Sequence, residues 1–238
     1  MITLGESGHK PKKYPQFKES IDLFDAVPGT RQYTVPDGVT QIRVSVIGPG
    51  GSGSGPESNT PGLANSGGGG GYSEKVLSVT PGQVISYTVG APSGTSSFGG
   101  VISATSGKTP TSTSASQVCV GGDGVGGDIN FSGGSGSGTQ HAAGGGAASR
   151  FGNGQAAFTV ANSGRTNPGG FSMARVLDGW GLGLVFGEYG VSGAKNQMGV
   201  GGRWSFDGDM TFDRPGVGGG GSVYQTGGPG AVIVEVLA

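Results

Sequence analysis

Residues 66–90 read SGGGGGYSEKVLSVTPGQVISYTVG, so that five consecutive glycines run directly into a strand pattern. Glycine loses more conformational freedom on folding than any other residue, and a run of five is a poor start for a helix or strand. Residues 72–79 and 84–89 each have strand-like sequences, and Pro81-Gly82 between them indicates a turn, which together predict a β-hairpin. Gly67–Gly71 is therefore either a flexible connection or ordered in a way that is neither α-helix nor β-sheet.

The composition favours a folded chain over a linker. Of the 238 residues, 56 are glycine, against about 7% in average proteins. A disordered linker would be poor in aromatic residues, but this chain has ten Phe, six Tyr and two Trp. Collagen needs glycine at every third position, and the run Gly218–Gly221 breaks that repeat. The chain is also long enough to bury a core.

Strand patterns recur between the glycine tracts. Residues 31–48, RQYTVPDGVTQIRVSVIG, contain two alternating segments with the turn Pro36-Asp37-Gly38 between them. A helical turn at Phe171–Leu177 is the one weak helical signal. The sequence therefore predicts an all-β, sandwich-like framework with little or no α-helix. Further strands are predicted as a pair around Phe98 and Val101–Ala104, within 118–131, and at Ala231–Leu237, where Glu235 is the one charged residue.

The glycines themselves fall into five tracts separated by strands. A polyproline II helix has three residues per turn and no internal hydrogen bonds, so its backbone groups need partners outside the helix. Helices made almost entirely of glycine can approach closely enough to supply those partners to one another. We therefore expect a bundle of such helices, with the small residues Ser52, Ser54, Ser135, Ser137, Ala142, Ala143 and Ala147 on its outside. The tracts are residues 48–55, 66–71, 121–127, 133–146 and 216–230.

Little in the sequence indicates metal, cofactor or catalytic chemistry. His9 and His141 have no partner at ligand spacing. Asp207, Asp209 and Asp213 lack the other ligands of a calcium loop and are interpreted as solvated turn residues. The stretch GGDGVG at 121–126 precedes no helix that could bind a phosphate. We predict no enzymatic activity, no cofactor and no metal.

Charge and hydrophobicity restrict the partners. Charged residues make up 12% and the net charge is −1, which gives no electrostatic field for nucleic acid. No apolar run approaches the roughly 18 residues that span a membrane, and Met1–Ser20 has no signal-peptide core. The single cysteine, Cys119, excludes an intrachain disulfide and is expected in a buried strand.

The order of the segments resembles one family. These segments are VPDGVTQIRVSVIGPGG, GGGGGYSEKVLSVTPGQVISYTVG, GTSSFGGVISATSG, GGDGVGGDINFSGG, GGGAASRFGNG and GGPGAVIVEVLA. Together they resemble the glycine-rich domain at the tips of many bacteriophage tail fibres, over about residues 30–155 and 216–238. The resemblance implies a polyglycine II bundle attached to a β-framework, whose loops recognise a receptor on the bacterial surface.

Residues 156–215 depart from the family pattern because they are richer in aromatic residues than the frame. Trp and Tyr give large contact areas at small entropic cost, which suits an adhesive surface. The alternative, equally open, is that these aromatics form a small core under long loops. The predicted receptor-binding residues are Trp180, Phe186, Tyr189, Arg203, Trp204 and Phe206.

The expected organisation is an extended arm over residues 1–22 and one glycine-rich domain over residues 23–238. The arm would attach the protein to the fibre or tail through Lys12, Lys13, Tyr14 and Phe17. The resulting hypothesis is a virion protein at the tail-fibre tip that binds a polysaccharide, outer-membrane protein or pilus, and that forms a homotrimer. The alternatives are a structural fibre connector or decoration protein and, more remotely, a tail-associated depolymerase.

Overall fold

The computed structural model describes the chain in nine ranges. These are residues 20–54, 65–111, 117–138, 143–157, 166–167, 203–206, 210–213, 217–222 and 225–237. In the short ranges 166–167, 203–206 and 210–213 the backbone alone is considered. Phe171–Leu177, for which a helical turn was predicted, lies outside the described residues.

The described residues form strands and no helix, which confirms the all-β prediction. The predicted pair around Phe98 exists as two paired strands, and the predicted terminal strand is present with its bounds unchanged. The strands are β1 Ser20–Asp25, β2 Gly29–Thr34, β3 Gln41–Ile47, β4 Tyr72–Ser78, β5 Val84–Val89, β6 Thr95–Phe98, β7 Ile102–Thr105, β8 Gly124–Val125, β9 Ile129–Phe131, β10 Thr166–Asn167, β11 Arg203–Phe206, β12 Met210–Asp213 and β13 Ala231–Leu237.

Two five-stranded antiparallel sheets form the framework. The first has the strand order β1-β13-β3-β4-β9 and the second β2-β5-β6-β7-β8, while β10-β11-β12 form a separate three-stranded sheet. One buried cluster contains residues of both five-stranded sheets, as in a β-sandwich. The first sheet contributes Ile42, Val44, Val46, Val232 and Val234, and the second contributes Tyr33, Ile85, Tyr87, Val89, Phe98, Ile102 and Ala104, joined by Val35 directly after β2.

The predicted β-hairpin is wrong, although both of its strands exist. β4 pairs with β3 and β9, whereas β5 pairs with β2 and β6 in the other sheet. In the turn between them, Gln83 N–H donates a hydrogen bond to the Thr80 carbonyl at 2.9 Å. The Gln83 carbonyl accepts a hydrogen bond from Val35 N–H, also at 2.9 Å. This turn carries the chain from one sheet to the other, so that Leu77 of β4 and Ile85 of β5 pack into the same core from opposite layers.

Gly67–Gly71 forms the central helix of the predicted bundle. The N–H groups of Ser66 and Gly67–Gly71 donate to three neighbouring segments. Residues three positions apart donate to the same segment, because a polyproline II helix has three residues per turn. Gly67 and Gly70 donate to one neighbouring segment, for example, at 2.9 and 2.7 Å. The acceptors are Ser137 and Gly134 for Ser66 and Gly69, Gly221 and Gly218 for Gly67 and Gly70, and Lys108 and Thr105 for Gly68 and Gly71.

The carbonyl groups of the same helix accept from three other segments. Gly68 and Gly71 accept from Gly51 and Gly48, and Gly69 accepts from Gly122. Gly67 and Gly70 likewise accept from Gly145 and Ala148. The central helix thus has six hydrogen-bonded neighbours, as in hexagonal packing. These neighbours are residues 48–54, 105–111, 117–123, 132–138, 143–148 and 217–222.

This packing requires the absence of side chains. A Cβ added at Gly69 would lie within 3.0 Å of backbone atoms of Gly146 and Ala147. At Gly67 and Gly70 it would meet the carbonyl groups of Gly51 and Gly48 in the same way. The glycines are therefore ordered because only they allow the backbones to come close enough to bond.

The bundle continues the strands of the sandwich. β3 leads into the helix at residue 48, and the central helix leads into β4 at Tyr72. The segments that follow β7 and β9, and those that precede β8 and β13, enter or leave the bundle in the same manner. The ends of these helices near the sandwich are thereby fixed by strands.

Several small residues lie differently from the prediction. Ser137, Ala143 and Ala147 are buried rather than on the outside of the bundle, whereas Ser52, Ser54 and Ser135 are partly exposed. Ala147 packs under the first sheet beside Ile47 and Tyr72. Ser137 instead lies inside the bundle, where its hydroxyl accepts a hydrogen bond from Ala143 N–H.

Cys119 is buried, as predicted, but lies in a bundle helix and not in a strand, because its neighbours are bundle backbones rather than sheet partners. Its carbonyl accepts a hydrogen bond from Gly136 N–H at 2.9 Å. Burial raises the pKa of its thiol to about 11, so that the thiol is protonated at neutral pH.

A buried charged network joins the bundle to the outer face of the first sheet. The carboxylate of Glu74 on β4 accepts from the hydroxyl of Tyr72 and from Ser45 Oγ at 3.2 Å. Arg150 pairs with the same carboxylate at 3.0 Å, and Arg43 lies 3.7 Å from it and 3.5 Å from Glu235. Burial and the nearby carboxylate raise the pKa of Tyr72 well above its ordinary value, so that the phenol remains a donor.

Gly69→Val tests the bundle. The added side chain would have to force apart backbones that now hydrogen-bond, and we expect a loss of stability of about 3 kcal/mol or more. Urea denaturation followed by circular dichroism measures it. Gly82→Asn is the control, because Gly82 is in an open turn with φ +77°, which Asn tolerates. An unchanged unfolding midpoint in Gly69→Val would contradict the close packing.

Glu74→Ala tests the charged network. Removing the carboxylate that Arg43 and Arg150 face leaves buried positive charge less compensated, and we expect a loss of about 3 kcal/mol in urea denaturation. Lys75→Ala is the control, since Lys75 pairs with a largely exposed Asp128, and such pairs contribute little. Equal destabilisation by the two variants would show that the network does not join bundle and sheet.

Candidate functional site

The molecule has two different ends. The central helix meets β4 at Gly71, and its opposite end, at Ser66, points away from the sandwich. We call the bundle residues around Ser66 the distal end. At the other extreme of the sandwich, β1 begins and β13 ends, with Ser20 opposite Val236 in the register.

Four connecting segments leave and rejoin the bundle at the distal end. They are residues 55–64, 112–116, 139–142 and 223–224, which lie outside the described residues. The described residues on both sides of each segment belong to the distal end. Along the bundle segments, the residues bonded to Gly70 or Gly71 lie near the sandwich, and those bonded to Ser66, Gly67 or Gly68 lie toward the connecting segments. These flanking residues are Ser54, Asn65, Thr111, Gln117, Gly138, Ala143, Ser222 and Gln225.

The ends of two segments are closed by side-chain hydrogen bonds. Thr111 N–H donates to Gln117 Oε1 at 2.9 Å, and Gln117 Nε2 lies 3.4 Å from Thr111 Oγ1. Ala143 N–H donates to Ser137 Oγ at 3.1 Å, and Ser137 N–H donates to the Ala143 carbonyl at 3.2 Å. Each pair of residues joins the two points at which one segment leaves and re-enters the bundle.

The other two segments are closed similarly. Ser54 and Asn65 exchange backbone hydrogen bonds at 2.8 and 3.3 Å, which form an isolated antiparallel bridge. Ser222 Oγ donates to Gln225 Oε1 at 2.8 Å, and Gln225 N–H donates to the Ser222 carbonyl at 3.0 Å. All four segments therefore start from bases of defined geometry at one end of the molecule.

The bundle also directs the chain that precedes residues 158–165. Gly154 N–H donates to the Ser132 carbonyl and Ala157 N–H to the Ser135 carbonyl. Because residues 132–138 run from β9 toward the distal end, residues 153–157 run in that direction too. The aromatic-rich region 156–215 is thus entered by a segment that points toward the distal end.

Three of the predicted receptor-binding residues, Trp180, Phe186 and Tyr189, lie outside the described residues. The other three are on β11, which lies between β10 and β12. Side-chain positions alternate along a strand, so that positions 204 and 206 share one face and position 203 is on the other. The cross-strand pairs are Trp204 with Phe212, Phe206 with Met210, and Arg203 with Asp213.

The register thus places four apolar positions on one face of this small sheet and separates them from Arg203. Both earlier interpretations, a contact surface and a small core, remain compatible with that arrangement. Lys12, Lys13, Tyr14 and Phe17 of the predicted arm lie outside the described residues. β1 begins at Ser20, inside the predicted arm of residues 1–22.

Asn65, Gln117 and Gln225, which close or connect the segment bases, belong to none of the motifs recognised in the sequence. Their positions carry a common signal, since each stands at or near the start of a bundle helix, where the side chain can reach a neighbouring backbone. An amide there offers both donor and acceptor. That signal could have marked the distal end before the structure was known.

Within the described ranges, no group of three or more His, Cys, Asp or Glu side chains is arranged to hold a metal ion. The same ranges contain no helix long and apolar enough to cross a membrane.

The model of a glycine-rich domain family matches residues 25–236. The chain belongs to this glycine-rich domain family. The match begins close to the end of β1 and extends across the aromatic-rich residues 156–215. No curated protein matches the chain significantly. Family membership agrees with the observed fold, in which glycine tracts rather than side chains form much of the interior.

Proposed function

We propose that this glycine-rich domain protein is the tip, or receptor-binding protein, of a bacteriophage tail fibre and recognises a bacterial surface receptor during adsorption. The observation that carries the proposal is the polarity of the fold. Four connecting segments leave the framework at the distal end, whereas β1 begins at the opposite extreme of the sandwich. One end is thereby available for recognition and the other for attachment.

The framework suits recognition because it is rigid where the segments begin. Both ends of each segment are held at the bundle by backbone or side-chain hydrogen bonds. Binding residues are often carried by connecting segments on such scaffolds. The bundle therefore supplies the scaffold, and the distal end supplies the contact surface.

Two sequence features support the same role. The segmental resemblance to phage fibre tips covers most of the bundle and sandwich. Residues 156–215 add aromatic side chains, among them Trp180, Tyr189 and Trp204, of the types that dominate binding surfaces. The proposed receptor is a polysaccharide, an outer-membrane protein or a pilus, and the protein acts by binding and not by catalysis.

Attachment belongs at the opposite end. β1 begins there at Ser20, and Lys12, Lys13, Tyr14 and Phe17 are proposed to dock to another fibre or tail protein. Fibre tips are commonly symmetric, so we also propose a homotrimer. A protein at this place would belong to the virion, at the tail-fibre tip.

Binding to bacterial cells tests the function. The fluorescently labelled full chain should bind a susceptible strain saturably and reduce phage adsorption to it. Host mutants lacking lipopolysaccharide, single outer-membrane proteins or pili would identify the receptor class by loss of binding. Trp204→Ala should weaken binding about tenfold or more, whereas Gln32→Ala, on the exposed face of β2, should not.

The alternative functions give other results. A structural connector or decoration protein would bind no cell surface, and host-range mutations would fall in other virion proteins. A depolymerase would shorten purified host polysaccharide. Either result would overturn the proposal of a purely receptor-binding tip.

The oligomeric state is a separate prediction. Sedimentation equilibrium of the full chain should give about three times the chain mass of 23.3 kDa. In a fibre with threefold symmetry, three identical copies make equivalent contacts with one another. A chain that begins at Ser20 is the matched comparison, and its mass shows whether the arm takes part in assembly. A monomer at micromolar concentration would contradict the homotrimer.

A further inference from the structure

Within the five strands of the second sheet, the outer face carries no charged side chain. Side chains alternate between the two faces of a strand, and the core residues Tyr33, Ile85 and Phe98 mark the inner face. The alternate positions on β2, β5, β6, β7 and β8 are Ser, Thr, Gln or Val, and they are exposed or partly exposed. Arg31, the one charged residue of these strands, lies on the side of Tyr33 and pairs with Asp25 at 2.8 Å.

A row of hydroxyl residues that ends in a valine crosses this face from one edge strand to the other. The register places Thr30 opposite Thr88, and Thr88 opposite Ser97. Ser97 is in turn opposite Ser103, which is opposite Val125. The Oγ1 atoms of Thr30 and Thr88 lie 2.9 Å apart, so that one hydroxyl donates to the other. The face therefore offers donors and acceptors beside a valine that is 53% exposed.

This face lies alongside the long axis of the molecule. β3 begins at Gln41, beside the end of β4, and enters the bundle after Ile47, so that its strand direction joins the two ends. Packed sheets keep their strand directions within about 30° of each other, and both outer faces are therefore lateral. The first sheet is covered on its outer face by bundle residues such as Ala147 and Ala148, whereas the outer face of the second sheet is open.

The composition of the open face favours a second copy of the chain as its partner. Near a symmetry axis, each residue faces the same residue of another copy. A carboxylate or an ammonium group would meet its own charge there, and opposed like charges are unfavourable. A hydroxyl or amide can instead donate from one copy and accept on the next. The strands of the first sheet, by contrast, contain Arg43, Glu74 and Lys75.

We propose that copies of this chain associate through the outer face of the second sheet. Because this face is lateral, copies joined there share one axis and present their distal ends in the same direction. The inference deepens the proposed homotrimer by naming the surface on which its copies meet, and it rests on the proposed function only for the number of copies.

Ser86→Lys tests the association. Ser86 is exposed on β5, between β2 and β6, so that a lysine fits the single chain but opposes its own charge in the assembly. Because like charges repel, the mass from sedimentation equilibrium should fall about threefold, to the single-chain value of 23.3 kDa. The circular dichroism spectrum and the melting temperature should stay nearly unchanged, as is usual for exposed substitutions.

Two variants serve as controls. Ser78→Lys adds the same charge at an exposed strand serine of the first sheet. Gln32→Ala changes a residue that is opposite Ser86 in the register but keeps the outer face uncharged. Both variants should keep the mass of the unsubstituted chain.

The outcomes separate the interface from the proposed function. An unchanged mass in Ser86→Lys, or equal dissociation of Ser78→Lys, would overturn the interface, and a monomeric unsubstituted chain would overturn it together with the homotrimer. A dimer that Ser86→Lys dissociates would support the interface and contradict only the number of copies. Ser86→Lys that keeps its mass but no longer binds cells would assign the face to the receptor instead. If the unsubstituted chain binds no cells while Ser86→Lys still dissociates, only the receptor-binding function fails.

Discussion

Backbone hydrogen bonding between neighbouring glycine helices is the interaction on which the rest of the structure depends. A polyproline II helix leaves every N–H and C=O without an internal partner, and burying such groups unpaired is costly. Around Gly67–Gly71 the cost is avoided because six segments surround one helix and supply partners in three donor and three acceptor directions. The close approach that this requires leaves no space for a Cβ.

The β-sandwich and the bundle stabilise each other. The sandwich contributes a conventional apolar core and fixes one end of several helices through strands such as β3, β4 and β13. The bundle in turn covers the outer face of the first sheet, where Glu74, Arg43 and Arg150 form a buried network. Neither layer alone satisfies both its backbone groups and its buried charges.

The two ends of the bundle are held in different ways. Near the sandwich, several bundle helices continue into strands with a fixed register, such as β3, β4 and β13. At the distal end, the described residues that flank the connecting segments are held by Asn65, Gln117, Ser137 and Gln225. Strand pairing thus fixes one end, and hydrogen bonds of specific polar side chains fix the other.

The sequence by itself determined the kinds of element and the existence of the bundle. Alternating segments such as Gln41–Ile47 indicated strands through local periodicity, and repeated glycine tracts between strands indicated side-by-side helices because only glycine permits the close approach. The aromatic content of residues 156–215 was likewise visible in the sequence. These features depend on neighbouring residues along the chain.

Pairing between distant segments was decided only by the tertiary structure. β4 and β5 look like a hairpin locally but join different sheets, and Leu77 and Ile85 pack into the shared core from opposite layers. Which helix occupies the centre, and that Asn65 and Ser66 meet Gln117 and Ala143 at the distal end, depend on contacts between residues 52 to 77 positions apart. No local pattern specifies contacts of that range, because their free energy arises only when the layers assemble.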